Sequence, residues 1–470
     1  MIGLLYPRPK RKGFLYSELY LWILTAMVVL AWYFGQVIIG FIAMAFVFVM
    51  VMSLNDDVTP ALPVLGMIPF MIPLYANQDP GAFIEQNFIL LIVLVCVIIG
   101  SVVLFFVVNR QRFNFGKQFI GLAVGAVAFL CSGLLYDVEA WKASIPSVGM
   151  FVLAIFLLYL LCVNGIKRDV PRQYFAKIFM HVGIIMVIQT IIFYTTNELP
   201  FETLIDTKAL DLGWGISNNI GAVLLFTMPL TLYLAVREDK TPFHTFYYML
   251  MFTLQVLTLV VSLSRGAMVG AIIGIPISMV YACIVAKKKT KLFVSFAVIF
   301  VALIGLVIWQ WDHVCLIFNE YTIIGGSSGG GTGGDIIQDS GRLELYLDAL
   351  KDFLKSPLFG LSPFHTLDSM AGEFTPLWYH CTPLQILSNA GIFGMIGYIL
   401  HVFSKYRVLC TKNSKKINRF ILFSVIMWSI HGLLDPCYSI LSQLILFVII
   451  LAFAETSLPK DFKVFGRNLK

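Results

Sequence analysis

Runs of about 17–25 apolar residues, the length that crosses a bilayer, recur almost from end to end of this 470-residue chain. That pattern leaves few folds open. A segment immersed in hydrocarbon must satisfy its backbone hydrogen bonds internally, so each run is read as a helix. Charged residues make up 13% of the chain, against roughly 25% in a soluble domain. The sequence therefore specifies an all-α polytopic membrane protein. Its eight cysteines are scattered, mostly inside apolar runs and without a CxxC pair, so neither a disulfide framework nor a zinc site is indicated. Arg8, Lys10, Arg11 and Lys12 precede the first run as they would in a signal peptide. That run is too long and lacks a small-residue cleavage site, so it reads as the first span.

Fourteen spans are expected, at about residues 18–34, 36–54, 58–76, 88–108, 118–136, 147–165, 177–195, 218–236, 244–262, 267–286, 291–311, 384–403, 420–434 and 437–455. The third contains Pro60, Pro63, Pro69 and Pro73 and is expected to be kinked or re-entrant. With the N-terminus in the cytoplasm, only six of the 33 Lys and Arg fall outside: Lys142, Lys208, Arg265, Arg342, Lys351 and Lys355. This is the asymmetry that the positive-inside rule demands. About 18 of the 26 acidic residues fall outside. The net charge of +7 is thus the sum of a basic inner face and an acidic outer one, and it implies no nucleic-acid partner. Both termini are expected in the cytoplasm. The organisation is eleven spans over 1–311, one large outward loop with an amphipathic helix over 312–383, and three spans with a basic tail over 384–470. Almost no ionisable residue sits mid-span, which argues against an ion-coupled transporter. A flippase would have a charged central cavity and no long outer loop, the reverse of this pattern.

Polar chemistry gathers at the outer boundary. Leu263-Ser264-Arg265-Gly266-Ala267 forms a short turn between two spans. Arg265 there is either a snorkelling side chain or a guanidinium for phosphate. The second reading gains from its position, since an outer Arg opposes the topology rule. Residues 341–355 place Leu343, Leu347, Leu350 and Leu354 at helical spacing, with charges around the rest of the wheel. Such a helix is expected at the membrane surface. Asp339 or Ser340 can cap it, and Arg342 lies in its first turn, where free N–H groups and a cation could hold an anion. His380 sits at the mouth of the twelfth span, followed by the small-residue stripe Gly391, Gly394 and Gly397, expected to allow close helix packing. The histidine is either an interfacial residue or a base with a pKa suited to neutral pH. Weaker features are the glycine run 325–334, which lacks the Lys-Ser/Thr of a phosphate-binding loop and reads as a linker, and Asp137-Val138-Glu139, a short match to acids of metal-using glycosyltransferases. His365, Asp368, His431 and Asp435 are outer polar residues that could line a site, while Trp214, Trp378 and Tyr379 read as interface anchors or sugar platforms.

In order, these motifs resemble the O-antigen ligase/polymerase superfamily of envelope glycosyltransferases. Ser264-Arg265-Gly266-Ala267 looks like its Ser-Arg-Gly turn. Ser340-Gly341-Arg342, the amphipathic helix and Ser356-Pro357-Leu358-Phe359-Gly360 look like its large outer loop. His380 with Gly391 and Gly394 looks like its histidine motif, and Ser217-Asn218-Asn219 also has a counterpart. Cys381 departs from the pattern, which has Asn, Ser or Gln there. The resemblance covers roughly residues 210–400.

It implies a GT-C-like architecture and a bacterial cytoplasmic membrane protein acting at the outer face. The implied donor is a glycan on undecaprenyl diphosphate, and the acceptor a glycan or a lipid-borne sugar hydroxyl. Membrane lipid and other polysaccharide-assembly proteins are the further partners. By the same resemblance Arg265 and Arg342 would stabilise the leaving diphosphate, and His380 would take the acceptor proton. Ser264, Asn218, Tyr379 and His365 would contact substrate. No metal or other cofactor is expected. A polymerase of lipid-linked repeat units is favoured over a ligase, because fourteen spans look more like the polymerases.

Overall fold

A computed structural model describes residues 13–73, 80–109, 113–237, 241–322, 342–368, 373–411, 415–438, 440–458, 462 and 464. The glycine run 325–334 and the expected cap at Asp339 or Ser340 lie outside them.

Helices dominate, as hydrocarbon requires. The first three segments are α1 (Glu18–Tyr33), α2 (Val37–Leu54) and a broken segment around α3 (Leu62–Met67). That segment runs 3-10, α and 3-10 over 59–71, interrupted at Pro60, Pro63 and Pro69 and buried throughout except near Leu65 and Ile68. Each of the three pieces carries a proline in its first two positions, where the missing N–H leaves no helix bond unmade. Then follow α4 (Pro80–Asn109), α5 (Phe119–Leu130), α6 (Val138–Gly165), α7 (Arg172–Thr196), the short α8 (Phe201–Asp206), α9 (Ser217–Ala235), α10 (Pro242–Val261), α11 (Arg265–Val285) and α12 (Lys289–Trp309).

Eight helices among the described residues are long and apolar enough to cross a membrane: α2, α4, α7, α9, α10, α11, α12 and α15 (Thr382–Leu409). The other expected spans fall on α1, α5, α16 and α17, which are shorter, on α6, of which Ile155–Gly165 is the apolar part, and, at 59–71, on the broken segment. The chain is accordingly a mostly helical polytopic membrane protein. Its centre is α9, 83% buried over its apolar window, with α7 at 72%. At the periphery stand α4 and α12, at 12% and 17%, with their apolar faces turned away from the protein.

The large loop is structured. It holds α13 (Trp311–Thr322), α14 (Arg342–Lys355) and an antiparallel hairpin of β1 (Phe364–Asp368) with β2 (Glu373–Pro376). Behind it come α15, α16 (Lys416–His431) and α17 (Leu441–Thr456).

Two glycine contacts decide how α15 sits. On its lower half, a Cβ at Gly397 would lie 2.5 Å from the backbone nitrogen of Gly125, and one at Gly121 would lie 2.5 Å from that of His401. Small residues thus let α5 and α15 approach backbone to backbone, as expected of the stripe. Gly391 behaves differently. Its φ of 63° breaks the helix, a conformation that strains any side chain. The freed backbone groups are satisfied by the segment after α14. Ile392 N–H donates to the Pro357 carbonyl (2.8 Å), and Phe393 N–H to that of Leu358 (3.2 Å). From the other strand of this splice, Leu361 N–H donates to Ser388 (2.9 Å) and Ser362 N–H to Asn389 (3.2 Å). A helix break in hydrocarbon needs such replacement partners. Gly391 is therefore a break filled by residues 357–362, not merely one member of a packing stripe.

Candidate functional site

The turn between α10 and α11 is built by backbone strain and a cap. Leu263 adopts φ 56°, which reverses the chain. Ser264 then caps α11: its Oγ accepts from Ala267 N–H (3.4 Å) and donates to Asn218 Oδ1 (3.0 Å) in the first turn of α9. Ser264 is fully buried, so both it and Asn218 hold the turn in place. Arg265 is thereby fixed as the first residue of α11, and its Nη2 donates to the Glu320 carbonyl (3.2 Å) at the end of α13. The same end of α13 is clamped by Tyr321, whose hydroxyl donates to the Val260 carbonyl (2.8 Å).

Helix α13 also packs on α8, with the Phe201 and His313 rings 5.1 Å apart. Two residues beyond α8 comes Lys208, held at φ 50°. Burial lowers its pKa. The guanidinium of Arg265 lowers it further and that of Arg342 adds to this, while Glu320 opposes them. Lys208, Arg265 and Arg342 thus share one electrostatic neighbourhood, although three separate segments supply them. Like charges brought together off the same chain favour an anionic ligand.

His380 stands beside this group. Its φ of 50° sets it at the sharp entry to α15. Its Nδ1 is 2.8 Å from Asp435 Oδ1, and the other oxygen of Asp435 is 3.9 Å from His431 Nε2. The Asp435 side chain is 12% exposed and that of His380 37%, so the carboxylate is held back and the imidazole faces outward. With Nδ1 engaged, Nε2 is the nitrogen left to take a proton. His431 closes the connection to the first turn: a Cβ on Gly266 would lie 2.9 Å from its Nδ1. Only glycine after Arg265 permits that approach.

The α15 entry is pinned by Thr382, whose N–H donates to the Gly432 carbonyl (2.8 Å) and whose Oγ1 donates to that of Asp435 (3.2 Å) and accepts from Cys437 N–H (2.9 Å). No side-chain hydrogen bond caps the helix at Cys381. Helix α14 reaches His380 through Tyr346, whose hydroxyl donates to the His380 carbonyl (3.4 Å). Arg342 lies one turn before Tyr346, and its charge is felt at His431 as well as at Lys208.

Tyr379 and His365 take a different position. Tyr379 is fully buried. Its hydroxyl donates to Asp352 Oδ2 (2.6 Å), accepts from Ser388 Oγ (3.1 Å) and lies 3.0 Å from His365 Nε2. Asp352 also accepts from Lys355 Nζ (2.6 Å). Burial pushes its carboxyl upward, but the bonds from Lys355 and Tyr379 outweigh that and hold it below its ordinary value. These groups brace α14 against α15 and spend their polar atoms inside the protein. The leucine face of α14 points the other way: Leu343, Leu347, Leu350 and Leu354 are all exposed, while Ala349 and Asp352 face inward.

Other expectations resolve simply. Trp214 is no surface platform; it is 9% exposed, stacked edge-on against Phe70, and its indole N–H donates to Gln189 (2.9 Å). Asp137 caps α6 through the N–H groups of Glu139 and Ala140, and Glu139 pairs with Lys142. No group of three His, Cys, Asp or Glu that could hold a metal ion is found among the described residues.

A family model described as O-antigen ligase matches residues 250–399. Over those residues the chain is similar to that family. The family region contains Arg265, Arg342 and His380. Lys208, Asn218, His431 and Asp435 lie outside it and are brought to it by the fold. A search of curated proteins finds no match to the chain. Asp435 and His431 had one sequence signal, an acid four residues after a histidine at the end of a span. Lys208 had only its place among the few basic residues expected outside.

Proposed function

We propose that the protein is a glycan polymerase, which joins repeat units carried on undecaprenyl diphosphate at the outer face of the bacterial cytoplasmic membrane. The observation that carries this reading is the convergence of Lys208, Arg265 and Arg342 beside the His380–Asp435 pair. Fourteen spans with both termini inside, as the sequence leads one to expect, would put this cluster at the outer leaflet.

The reaction balances without a metal. An acceptor hydroxyl oxygen attacks the anomeric carbon of the donor glycan. The bond from that carbon to the lipid diphosphate breaks, with inversion, and the electron pair leaves with the diphosphate. His380 Nε2 accepts the hydroxyl proton, and Asp435 at Nδ1 stabilises the imidazolium that forms. A diphosphate is already a good leaving group and needs charge neutralisation more than protonation. Arg265 and Arg342 supply it with Lys208, each such group contributing on the order of 10²–10³ in rate. Ser264 and Asn218 hold the Arg265 turn, and Tyr379 and His365 hold α14 over the site.

A second reading is transfer of a finished glycan to a lipid, wall or protein acceptor, and the ligase description of the matching family favours it. Deletion of the protein followed by sizing of cell-envelope glycans separates the two. Single repeats on the final carrier are expected for a polymerase. Long chains retained on the lipid carrier would replace this conclusion with the ligase. Arg265→Ala at normal membrane abundance should give the deletion phenotype; normal glycan from it would sink both readings.

A further inference from the structure

His380 holds its left-handed conformation, φ 50°, between two anchored neighbours. A residue with a Cβ stays in that region only where its surroundings impose it. On the C-terminal side the anchor is Thr382, bonded to Gly432, Asp435 and Cys437. On the N-terminal side it is Gln385. From the start of α15 this side chain reaches back to the segment that leads into the helix. Its Oε1 accepts from Tyr379 N–H (2.9 Å), and its Nε2 donates to the Leu377 carbonyl (2.8 Å).

The amide does for residues 377–379 what a neighbouring strand would do. Those residues follow β2 and belong to no regular element. Gln385 is 4% exposed, so loss of its amide would leave a backbone donor and a backbone acceptor facing a buried gap. Its orientation is fixed, because the oxygen meets a donor and the nitrogen meets an acceptor. Glutamate would offer two acceptors, and leucine neither group. Cys381, at the N-cap between His380 and the helix, makes no side-chain hydrogen bond and does not share the task.

We infer that Gln385 is a positioning residue for His380, whose amide fixes the backbone at Leu377 and Tyr379 and thereby holds the imidazole on Asp435. The inference rests on the proposed role of His380 as the base. With Thr382 pinned independently, loss of the Gln385 clamp lets the strained φ of His380 relax. Its Nδ1 then leaves Asp435 Oδ1, which is 2.8 Å away in this structure. Helix α14 does not replace the clamp. Tyr346 bonds only the His380 carbonyl (3.4 Å), and Asp352 bonds the Tyr379 hydroxyl, so neither fixes the Tyr379 N–H.

The test is kcat and KM for a lipid-linked glycan donor, measured across pH on the purified full-length protein. Gln385→Leu should lower kcat on the order of 10²-fold and leave KM for the donor unchanged. Gln385→Glu separates positioning from packing. Its ionised carboxylate has no donor for the Leu377 carbonyl, so kcat is low. Its protonated form restores one acceptor and one donor. The ratio of Gln385→Glu to wild-type kcat should therefore climb as pH falls, by up to about tenfold per pH unit, while the Gln385→Leu ratio stays flat. Taking the ratio removes the titration of His380 itself. A cryo-electron microscopy map of Gln385→Leu should show His380 displaced from Asp435, whatever the acceptor. Near-wild-type kcat in Gln385→Leu, a flat ratio for Gln385→Glu, or His380 still on Asp435 in that map would each overturn the inference. If Gln385→Leu does not fold, Gln385→Glu decides alone, because one preparation is read at two pH values. Failure of the proposed function reads out separately, as normal glycan in cells carrying Arg265→Ala.

Discussion

The two flanks of His380 are made of opposite materials. On one side lie turns: Leu263 and Lys208 in left-handed conformations, a serine cap, and three cations from three segments. On the other lie helices brought together by glycine, with a largely apolar cavity of about 400 Å³ between them. His380, itself left-handed, stands at the seam. The difference teaches how a membrane protein divides its work. Charge must be placed where water and headgroups can solvate it, so it rides on strained turns at helix ends.

The comparison can be broken most sharply at the seam. His380→Ala is expected to lower turnover by on the order of 10²–10⁴ without loss of membrane insertion, measured as glycan formed per inserted protein. Near-normal turnover would remove the general base from the mechanism. Next comes Asp435→Asn, which keeps the shape but not the charge behind Nδ1; a loss of roughly 10²-fold is expected, with an altered pH–rate profile. An unchanged profile would reduce Asp435 to a structural contact. On the turn flank alone, Lys208→Gln should cost about 10-fold to 10²-fold, the scale of one hydrogen bond to a charged group. The loss should appear for the lipid-linked donor and not in protein abundance. If Lys208→Gln matches wild type, two cations suffice and the turn flank ends at Arg265 and Arg342.

The smallest effect concerns the brace. The Asp352 carboxyl is held below its ordinary value in the folded protein, so its contribution to stability is present above the unfolded pKa of about 3.9 and is lost as pH falls through the folded value. Thermal unfolding in detergent should therefore show a lower melting temperature below about pH 4 in wild type. Asp352→Asn should flatten that acid limb while leaving its slope near neutrality alone. An identical acid limb in both proteins would mean that the brace does not titrate.

Much of the turn flank was legible in the sequence, because lipid makes outer cations conspicuous. Arg265 opposed the topology rule, Arg342 stood in the first turn of a helix and His380 at the mouth of a span, so each could be singled out. The helices were legible for the same reason, since apolar runs leave no alternative to helix. Four things were not. Trp214 looked like an interface anchor, but composition cannot tell an aromatic at a loop end from one folded back beneath it. Tyr379 and His365 looked available to sugar, yet their partner Asp352 sits on another helix, and only tertiary packing pairs them. Gly391 read as one tooth of a packing stripe, because a glycine that permits close approach and one that permits positive φ are the same letter. The cavity between α5, α6 and α15 was invisible for a related reason: an apolar residue facing a cavity and one facing lipid are indistinguishable by hydropathy.

The splice at Gly391 bears on how the protein is made. Residues 357–362, which complete the broken end of α15, precede it in the chain and leave the ribosome first. On the expected topology the plug would already be across the membrane when its socket begins to insert. Partitioning of α15 into lipid and seating of the loop would then be one event, and the candidate site would be assembled by the same step that finishes the twelfth expected span.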